Sequence, residues 1–586
     1  MLASMSYRGT QATSVYMSED GRVGLGQLQS GAFGGRRETP GFIAADDVAI
    51  AVDGQVLNAD DLLRDFPTEA NAASKEALAV LAAYRQSGEG FVTKLDGPFS
   101  VALWDNRARK LILTRDRMGE TPLYYQYDPA SQAIRFASEV KSLLACPGVE
   151  TKLDEQGLGL YFNFGYTPGP GTLFSGIRKL LQGELLVFDD SGEVERRRYW
   201  QMPSLNDDAD EEELSGSETK EIFLQSLNAY RNGSQDVGVF LSGGIDSSII
   251  VAGLRELGVE NIHTFAFGIN DPRYKQRSED LGYARIVSEF FGTTHHELVL
   301  SPGRELSPDL TRIVYQFDDL LMTPNIYSKY LMAKEVRNAS LTSMFTGLGS
   351  GLAITTWKPG KLEKTRAKIA DCKTDAERFY RLRARLFSLD EQKDIMREPP
   401  QVEKERIFSI LNECFGDLRR DERAEYYPWR RFYAVTVQSE KDIKGWERAG
   451  ALASIEVRSP YMSTNLTEFG SRMPKTPGGE AFLSVKGQLM KAYSRTLPRE
   501  VFERRVIGYP AYYWNKGELD DYQQRLFRPE RLVDHPVLQP DGVNRVLEAE
   551  RQVQKKSGGR MSWMLTQFAL WHELHIQGRT AEWGLS

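Results

Sequence analysis

Residues 237–250 of this chain read VGVFLSGGIDSSII. The apolar and β-branched residues at 237–241 predict a buried strand, because such a run is typical of the interior of a parallel sheet. The small residues at 242–244 predict a tight turn, and residues 249–254 predict the first turns of a helix. A strand, a small-residue loop and a helix N-terminus together form an anion site, since loop N–H groups and the helix dipole both favour negative charge.

We call residues 241–248 the glycine loop. It is not the GxxxxGK[ST] loop of Walker-type proteins, because no lysine follows its second glycine. It resembles the SGGxDS loop of the ATP pyrophosphatases, which split ATP into AMP and pyrophosphate. That resemblance implies ATP as ligand, while the carboxylate of Asp246 suits Mg²⁺ beside phosphates. The alternative is a Ser/Gly-rich turn without a ligand. The residues predicted to contact the nucleotide are Leu241, Ser242, Gly243, Gly244, Asp246, Ser247, Ser248, Phe267 and Gly347.

The composition is that of an ordinary globular protein. Of the 586 residues, 41% are hydrophobic and 26% are charged, and the net charge is −7. Nothing in that balance favours nucleic acid as a partner, and no apolar stretch is long enough to cross a bilayer. No secretory signal pattern opens the chain, and the three cysteines form no CxxC pair. We therefore predict a cytoplasmic protein with reduced thiols and no membrane or nucleic-acid partner.

The first part of the chain, residues 1–204, predicts short strands punctuated by turns, with two helices among them. This order predicts a layered αββα domain. The predicted strands are residues 48–52, 99–104, 110–114, 123–127 and 184–188, and the predicted helices are residues 58–65 and 74–88. An acidic, Ser-rich linker at 205–218 follows.

The second part, residues 205–586, predicts alternating strands and helices and therefore a doubly wound parallel sheet. A mainly helical segment follows residue 360. The predicted strands are residues 237–241, 262–267, 296–299 and 343–346, with helices up to 257 and at 278–291 and 327–337. A nucleotide is expected at the carboxyl ends of these strands.

Several further motifs make the chain similar, over nearly its whole length, to the asparagine synthetase family. That family joins a class II glutamine amidotransferase domain to an ATP-dependent synthetase domain. The resembling stretches are LDGPFSVALWD at 95–105, RDRMGETPLYY at 115–125, FASEVKSL at 136–143, EVRSPY at 456–461 and LPREVFERRVIGY at 497–509.

The amidotransferase part departs from the family pattern. The family's nucleophilic cysteine has no counterpart before Cys146. Asp53-Gly54 stands where the family has Asn-Gly for the oxyanion hole, and an acid there repels an oxyanion. We therefore predict that glutamine is not hydrolysed. Loss of that cysteine is what marks the β-lactam synthetase, carbapenam synthetase and lasso-peptide cyclase branches.

The synthetase part departs as well. By resemblance, the carboxylate that holds the metal in the family aligns with Gly351. The family's Glu or Tyr near the reacting amine aligns with Leu348, and the lysine that assists amide formation aligns with Val506. Three nearby cations, Arg505, Lys486 and Arg504, are predicted to replace the missing polar residues in catalysis. The alternative, weighted equally, is that they are ordinary surface charges.

The resemblance implies an AMP-forming amide synthetase that adenylates a carboxylate and joins it to an amine without glutamine, as in natural-product biosynthesis. Its expected substrate is a small molecule or peptide that carries both groups, and a homodimer or a biosynthetic partner protein is compatible with the sequence. Two alternatives stay open. One is a catalytically degenerate nucleotide-binding scaffold, and the other is a glutamine-hydrolysing asparagine synthetase whose true start lies upstream.

Overall fold

The structure is a computed structural model of the chain. The residues that it describes are 1–8, 12–29, 41–45, 47–67, 73–201, 216–270, 275–300, 309–322, 325–350, 364, 367–383, 386–400, 403–415, 439–471, 485–504, 520–552 and 559–585. The predicted domain boundary at 204/205 lies outside these residues and stays a prediction.

The first part of the chain contains antiparallel sheets. Six strands pair in the order β11–β10–β6–β5–β4–β3, three pair as β8–β7–β9, and β1 pairs with β2. The strands are β1 Ala12–Met17, β2 Gly24–Gln29, β3 Phe42–Ala44, β4 Val48–Gly54, β5 Phe99–Asp105, β6 Lys110–Arg115, β7 Tyr124–Asp128, β8 Ala133–Ala137, β9 Ile177–Lys179, β10 Glu184–Asp189 and β11 Val194–Arg198.

Alternation along β4 builds two layers of core. Val48, Ile50 and Val52 pack in one cluster with Val80 of a covering helix, whereas Ala49 packs on the opposite face with residues of the smaller sheet. Successive side chains of a strand point to opposite faces, so one strand serves both layers. The helices of this part are α1 Ala59–Asp65, α2 Lys75–Ser87, α3 Val140–Leu144 and α4 Glu155–Phe164.

A parallel sheet organises the second part. Its strand order is β14–β13–β12–β15–β16, and every neighbouring pair is parallel. The order reverses between β12 and β15, which makes their carboxyl ends the switch point where open α/β sheets bind ligands. The elements are α5 Gly216–Arg231, β12 Asp236–Phe240, α6 Ile245–Glu256, β13 Asn261–Ile269, α7 Lys275–Phe291, β14 Thr294–Leu300, α8 Asp309–Gln316, α9 Ile326–Asn338, β15 Ser343–Phe345 and β16 Glu456–Arg458.

Helices make up most of what remains in the described part of the chain, and no helix there is long and apolar enough to cross a membrane. They are α10 Asp375–Arg383, α11 Leu389–Ile395, α12 Lys404–Phe415, α13 Ser439–Leu452, α14 Thr464–Ser471, α15 Val485–Ala492, α16 Arg499–Glu503, α17 Asp520–Leu526, α18 Pro529–Val533, α19 Pro540–Gln552 and α20 Arg560–Trp571.

A buried ion cluster joins the two parts. We call it the interface cluster, and it consists of Arg8, Glu139, Lys141, Asp318 and Arg448. Glu139 pairs with Lys141 and Arg448, and it also pairs with Arg8 at 2.7 Å between Oε1 and Nη1. The side chains of Glu139 and Arg448 are 0% and 1% exposed. Breaking such a pair leaves an uncompensated buried charge, so the cluster fixes how the parts meet.

The predicted fold class is confirmed: a layered antiparallel amidotransferase-like part precedes a doubly wound parallel sheet. Each strand predicted from sequence is present, within three residues at either end. Several strands were not predicted, among them β1, β2, β3, β8 and β11. These are short or polar, and they depend on pairing with a neighbouring strand rather than on a strong local pattern.

Candidate active site

The glycine loop lies at the carboxyl end of β12, beside the switch point of the parallel sheet. The N–H of Leu241 donates to the carbonyl of Phe265 at 2.8 Å, which extends the pairing with β13 one residue past the end of β12. Gly243 then adopts a φ of +68°, and a Cβ there would lie 2.5 Å from the Cβ of Tyr283. Only glycine fits this position, because both its conformation and the space beside it exclude a side chain.

Serine hydroxyls hold the loop in shape. The hydroxyls of Ser247 and Ser248 donate to the carbonyl of Gly244 at 3.0 and 2.9 Å. The N–H of Ser242 donates to Ser247 Oγ at 3.3 Å, and the N–H of Gly244 donates to Ser242 Oγ at the same distance. Ser248 is fully buried, so its hydroxyl supports the loop in this conformation instead of facing outward.

Asp246 lies in the first turn of α6 and forms an ion pair with Lys486, one of the cations predicted from the sequence. Lys486 Nζ lies 2.8 Å from Asp246 Oδ2, and the two side chains are 29% and 27% exposed. The hydroxyl of Tyr461 donates to the backbone carbonyl of Asp246 at 2.9 Å. A Cβ placed on Gly347 would lie 3.2 Å from the Cβ of Asp246, so the segment after β15 closes over this residue. Asp246 is thus contacted from three separate elements, and its carboxylate is paired with Lys486.

Arg504 places a second cation at the loop. Its Nη2 lies 2.5 Å from Asp280 Oδ1, and both side chains are mostly buried. A Cβ on Gly244 would approach Arg504 Nη1 to 2.8 Å, which means that the guanidinium lies directly against the loop backbone. The helix α7, which carries Asp280, therefore orients Arg504 toward the loop.

Phe267 lies on the part of β13 that continues past β12. Phe240, the last residue of β12, pairs with Phe265, and Phe267 pairs with Leu298 of β14. Phe267 is buried, at 7% exposure. Its side chain packs in the core on the same face of the sheet as Phe240, whereas Leu241 at the start of the glycine loop packs in the core on the opposite face. The predicted contact of Phe267 with the nucleotide therefore stays a prediction.

The structure thus brings together most of the predicted site residues. The glycine loop, Gly347, Lys486 and Arg504 form one cluster. Arg505 lies outside the described residues, and so do the aligned positions Gly351 and Val506. Leu348 follows Gly347, and its N–H donates to Thr346 Oγ1 at 3.4 Å.

Sequence reasoning missed three residues of this cluster: Asp280, Tyr283 and Tyr461. Tyr461 could have been predicted from the sequence, because it is the last residue of the family-like stretch EVRSPY at 456–461. Burial raises the pKa of Tyr461 well above its ordinary value, and the nearby Asp246 carboxylate adds to that effect. Its phenol therefore stays a hydrogen-bond donor across the physiological range. Asp280 and Tyr283 lie in α7, and no local pattern marks them.

The acids Asp318 and Asp319 do not join this cluster. Asp318 belongs to the interface cluster, and Asp319 Oδ2 lies 2.7 Å from Nζ of the buried Lys444. Within the described residues, no group of three or more His, Cys, Asp and Glu side chains could hold a metal ion. Asp246 is the carboxylate within the glycine loop, and Mg²⁺ is often held by one or two carboxylates together with phosphate oxygens.

Fold and site together define an α/β protein whose ligand site lies at the switch point of a parallel sheet. The Asparagine synthase family model matches residues 218–573, and a Glutamine amidotransferase domain model matches residues 1–200. The chain belongs to the asparagine synthase family and is an ATP-dependent ligase of the kind that forms carbon–nitrogen bonds, as the sequence predicted.

Similar proteins span most of the chain. Asparagine synthetase [glutamine-hydrolyzing] 1 of Bacillus subtilis is 23% identical over 569 residues, covering 90% of this chain and 86% of that protein. Asparagine synthetase [glutamine-hydrolyzing] 3 of the same organism is 25% identical, covering 88% and 84%. Among solved structures, the glutamine phosphoribosylpyrophosphate amidotransferase of B. subtilis, 13% identical, covers 52% of this chain and 78% of its own with a TM-score of 0.26. A TM-score this low does not establish a shared fold.

Proposed function

We propose that the protein is an AMP-forming amide synthetase that adenylates a substrate carboxylate and joins it to an amine without hydrolysing glutamine. The observation that supports this most directly is the pair of cations at the glycine loop. Lys486 reaches Asp246, and Arg504 lies against Gly244. Two cations beside a loop of backbone N–H groups and a helix N-terminus favour a polyanion such as a triphosphate.

The proposed roles follow from these positions. The backbone of residues 242–244 and the N-terminus of α6 bind phosphate oxygens, while Ser247 and Ser248 keep the loop in shape. Lys486 and Arg504 stabilise the charge of the departing pyrophosphate, which develops as the carboxylate attacks the α-phosphorus. Phe267 contacts the base. Asp246 is the residue that would hold Mg²⁺, and the ion would supply further positive charge at the phosphates.

Independence from glutamine is supported by one position in the first part of the chain. Asp53 is the next-to-last residue of β4, and its Oδ2 accepts a hydrogen bond from the Ser138 hydroxyl at 2.7 Å. A carboxylate where the family uses an amide opposes the negative oxygen that amide hydrolysis creates. The curated relatives are named as glutamine-hydrolysing enzymes, so glutaminase activity is the alternative to test. Purified protein supplied with glutamine is expected to release no glutamate above buffer.

The decisive experiment measures pyrophosphate release from ATP with a panel of amino acids and short peptides that carry both a carboxylate and an amine. Release that depends on one member, with an amide product by mass spectrometry, supports the proposal. ATP binding without pyrophosphate release from any member would favour the scaffold instead. Glutamate formation coupled to asparagine would favour a glutamine-hydrolysing enzyme.

Asp246→Asn tests the proposed metal ligand. The amide keeps the size of the side chain and therefore the shape of the loop, but it removes the charge that a divalent cation needs. ATP consumption is expected to disappear while the melting temperature stays within a few degrees of wild type. Asp128→Asn is a control, because Asp128 lies at the far end of β7 and its carboxylate accepts hydrogen bonds from the neighbouring Ser131 and Ala130. Pyrophosphate release by Asp246→Asn at the wild-type rate would rule out this role.

A further inference from the structure

A large cavity lies between the two parts of the chain. Its volume is about 500 Å³, and both parts contribute to its wall. Strands β1, β2, β4 and β5 line one side, and helix α13 and strand β16 line the other. One water-sized molecule needs roughly 10–15 Å³ on this scale, so the cavity has room for far more than a single water. Its volume is within the size range of sites for small organic ligands.

Most of its wall is apolar. Leu2, Met5, Ile134, Phe136, Ile443 and Trp446 are among the lining side chains. Leu348 also lines the cavity, and it directly follows Gly347, the residue that closes over Asp246. One end of the cavity therefore adjoins the candidate active site, and a ligand in it could extend toward the glycine loop.

One carboxylate on the opposite side lacks a basic partner. Asp53 lines the cavity, and among the residues that the structure describes its hydrogen bond is to the hydroxyl of Ser138 and not to a cation. Gln27 also lines the cavity, and its amide N–H donates to the carbonyl of Val52, the residue before Asp53.

The other charges in the wall are already neutralised or directed elsewhere. Arg8 pairs with Glu139 and Glu447, and Arg135 donates to Gln126 Oε1 at 2.8 Å. Glu456 pairs with Arg458 at 2.8 Å. Glu120 accepts a hydrogen bond from the Tyr230 hydroxyl at 2.6 Å, and burial together with the neighbouring Asp116 raises its pKa well above its ordinary value. Among the described residues, the charge of Asp53 has no basic partner.

We propose that this cavity binds the remote end of the substrate: a primary ammonium group held by Asp53, on an apolar chain that runs toward Leu348. The assignment to the substrate rests on the proposed ligase function, whereas binding in the cavity does not. An ammonium group has three N–H donors and no acceptor, which matches the acceptor oxygens of the Asp53 carboxylate. The apolar wall accounts for the rest of the ligand, since burying each methylene contributes about 0.8 kcal/mol.

The test uses n-hexylammonium as the probe, with n-hexanol and hexanoate as analogues of the same length, in calorimetric titrations of the full chain. Hexylammonium is expected to bind at least about tenfold more tightly than either analogue, because a charge-assisted hydrogen bond is lost in both. Asp53→Asn is expected to weaken hexylammonium by about tenfold or more and to leave hexanol unchanged. Asp128→Asn, a matched carboxylate that also accepts from a serine hydroxyl, is expected to change neither.

Equal affinity for hexylammonium and hexanol, or equal affinity of wild type and Asp53→Asn for hexylammonium, would overturn the proposal. If Asp53→Asn does not fold, the comparison of hexylammonium with hexanol on the wild-type protein still decides the proposal. If hexylammonium binds in a way that depends on Asp53 but no carboxylate causes pyrophosphate release, the cavity site is supported and the ligase function is refuted. Pyrophosphate release without hexylammonium binding would refute this site alone.

Discussion

Replacing Lys486 with methionine removes one cation from the glycine loop while keeping most of the side-chain volume. The ammonium lies 2.8 Å from Asp246 Oδ2, and both side chains are less than one-third exposed. The substitution has two effects, and both weaken the binding of phosphate. It deletes a charged donor for phosphate oxygens, and it leaves the negative charge of the Asp246 carboxylate uncompensated beside them.

One charge-assisted hydrogen bond contributes about 1.5–3 kcal/mol, which corresponds to roughly 10–100-fold in affinity. We therefore expect Lys486→Met to weaken pyrophosphate by at least about tenfold in calorimetric titration, a measurement that needs no knowledge of the carboxylate substrate. Lys491→Met is the matched control, since Lys491 lies on the same helix α15 but is exposed. Unchanged pyrophosphate affinity in Lys486→Met would refute the view that the loop and its lysine form the phosphate site.

Two other substitutions test the loop and the interface cluster. Gly243→Ala is expected to abolish pyrophosphate binding, because a Cβ would lie 2.5 Å from Tyr283. Gly258→Ala is the control, since Gly258 has a φ of +73° and a Cβ there would have nothing within 4 Å. This control should lose only about 1–2 kcal/mol of stability and should still bind pyrophosphate. Wild-type binding by Gly243→Ala would contradict this. Glu139→Gln is expected to lower the free energy of unfolding by about 3–5 kcal/mol, since it leaves three buried or half-buried cations without their shared partner. Burial opposes ionisation of Glu139, but Lys141, Arg448 and Arg8 lower its pKa from 4.5 to about 2, so its contribution is complete above about pH 5 and is lost as the pH falls toward 2. Urea titrations at pH 7 and pH 3 should therefore differ less for Glu139→Gln than for wild type, and Glu195→Gln, an exposed control, should behave as wild type.

The glycine loop could be predicted because its information is local. An apolar run, two adjacent glycines and the start of a helix lie within fourteen residues, 237–250, and each has a physical reason to adopt one conformation. The parallel sheet was predictable for a similar reason, since its strands alternate with helices at regular spacing.

The partners of the loop could not be predicted in this way. Asp280 orients Arg504 across more than two hundred residues of sequence, and Tyr283 excludes a side chain at Gly243 only because α7 packs there. The strand β11 reads VERRR, without alternation of apolar and polar residues, and it forms because β10 pairs with it. Such features depend on tertiary contacts, which override local preference.

The first part of the chain also has a structural connection to the glycine loop. Glu139 holds Arg448 of α13 through the interface cluster. Two residues earlier in α13, the ring of Trp446 packs 5.5 Å from that of Phe240, the last residue of β12 before the loop. A rigid chain of packed groups therefore links the first part of the chain to the loop. This link gives the amidotransferase-like part a physical role in holding the site, whether or not it hydrolyses glutamine.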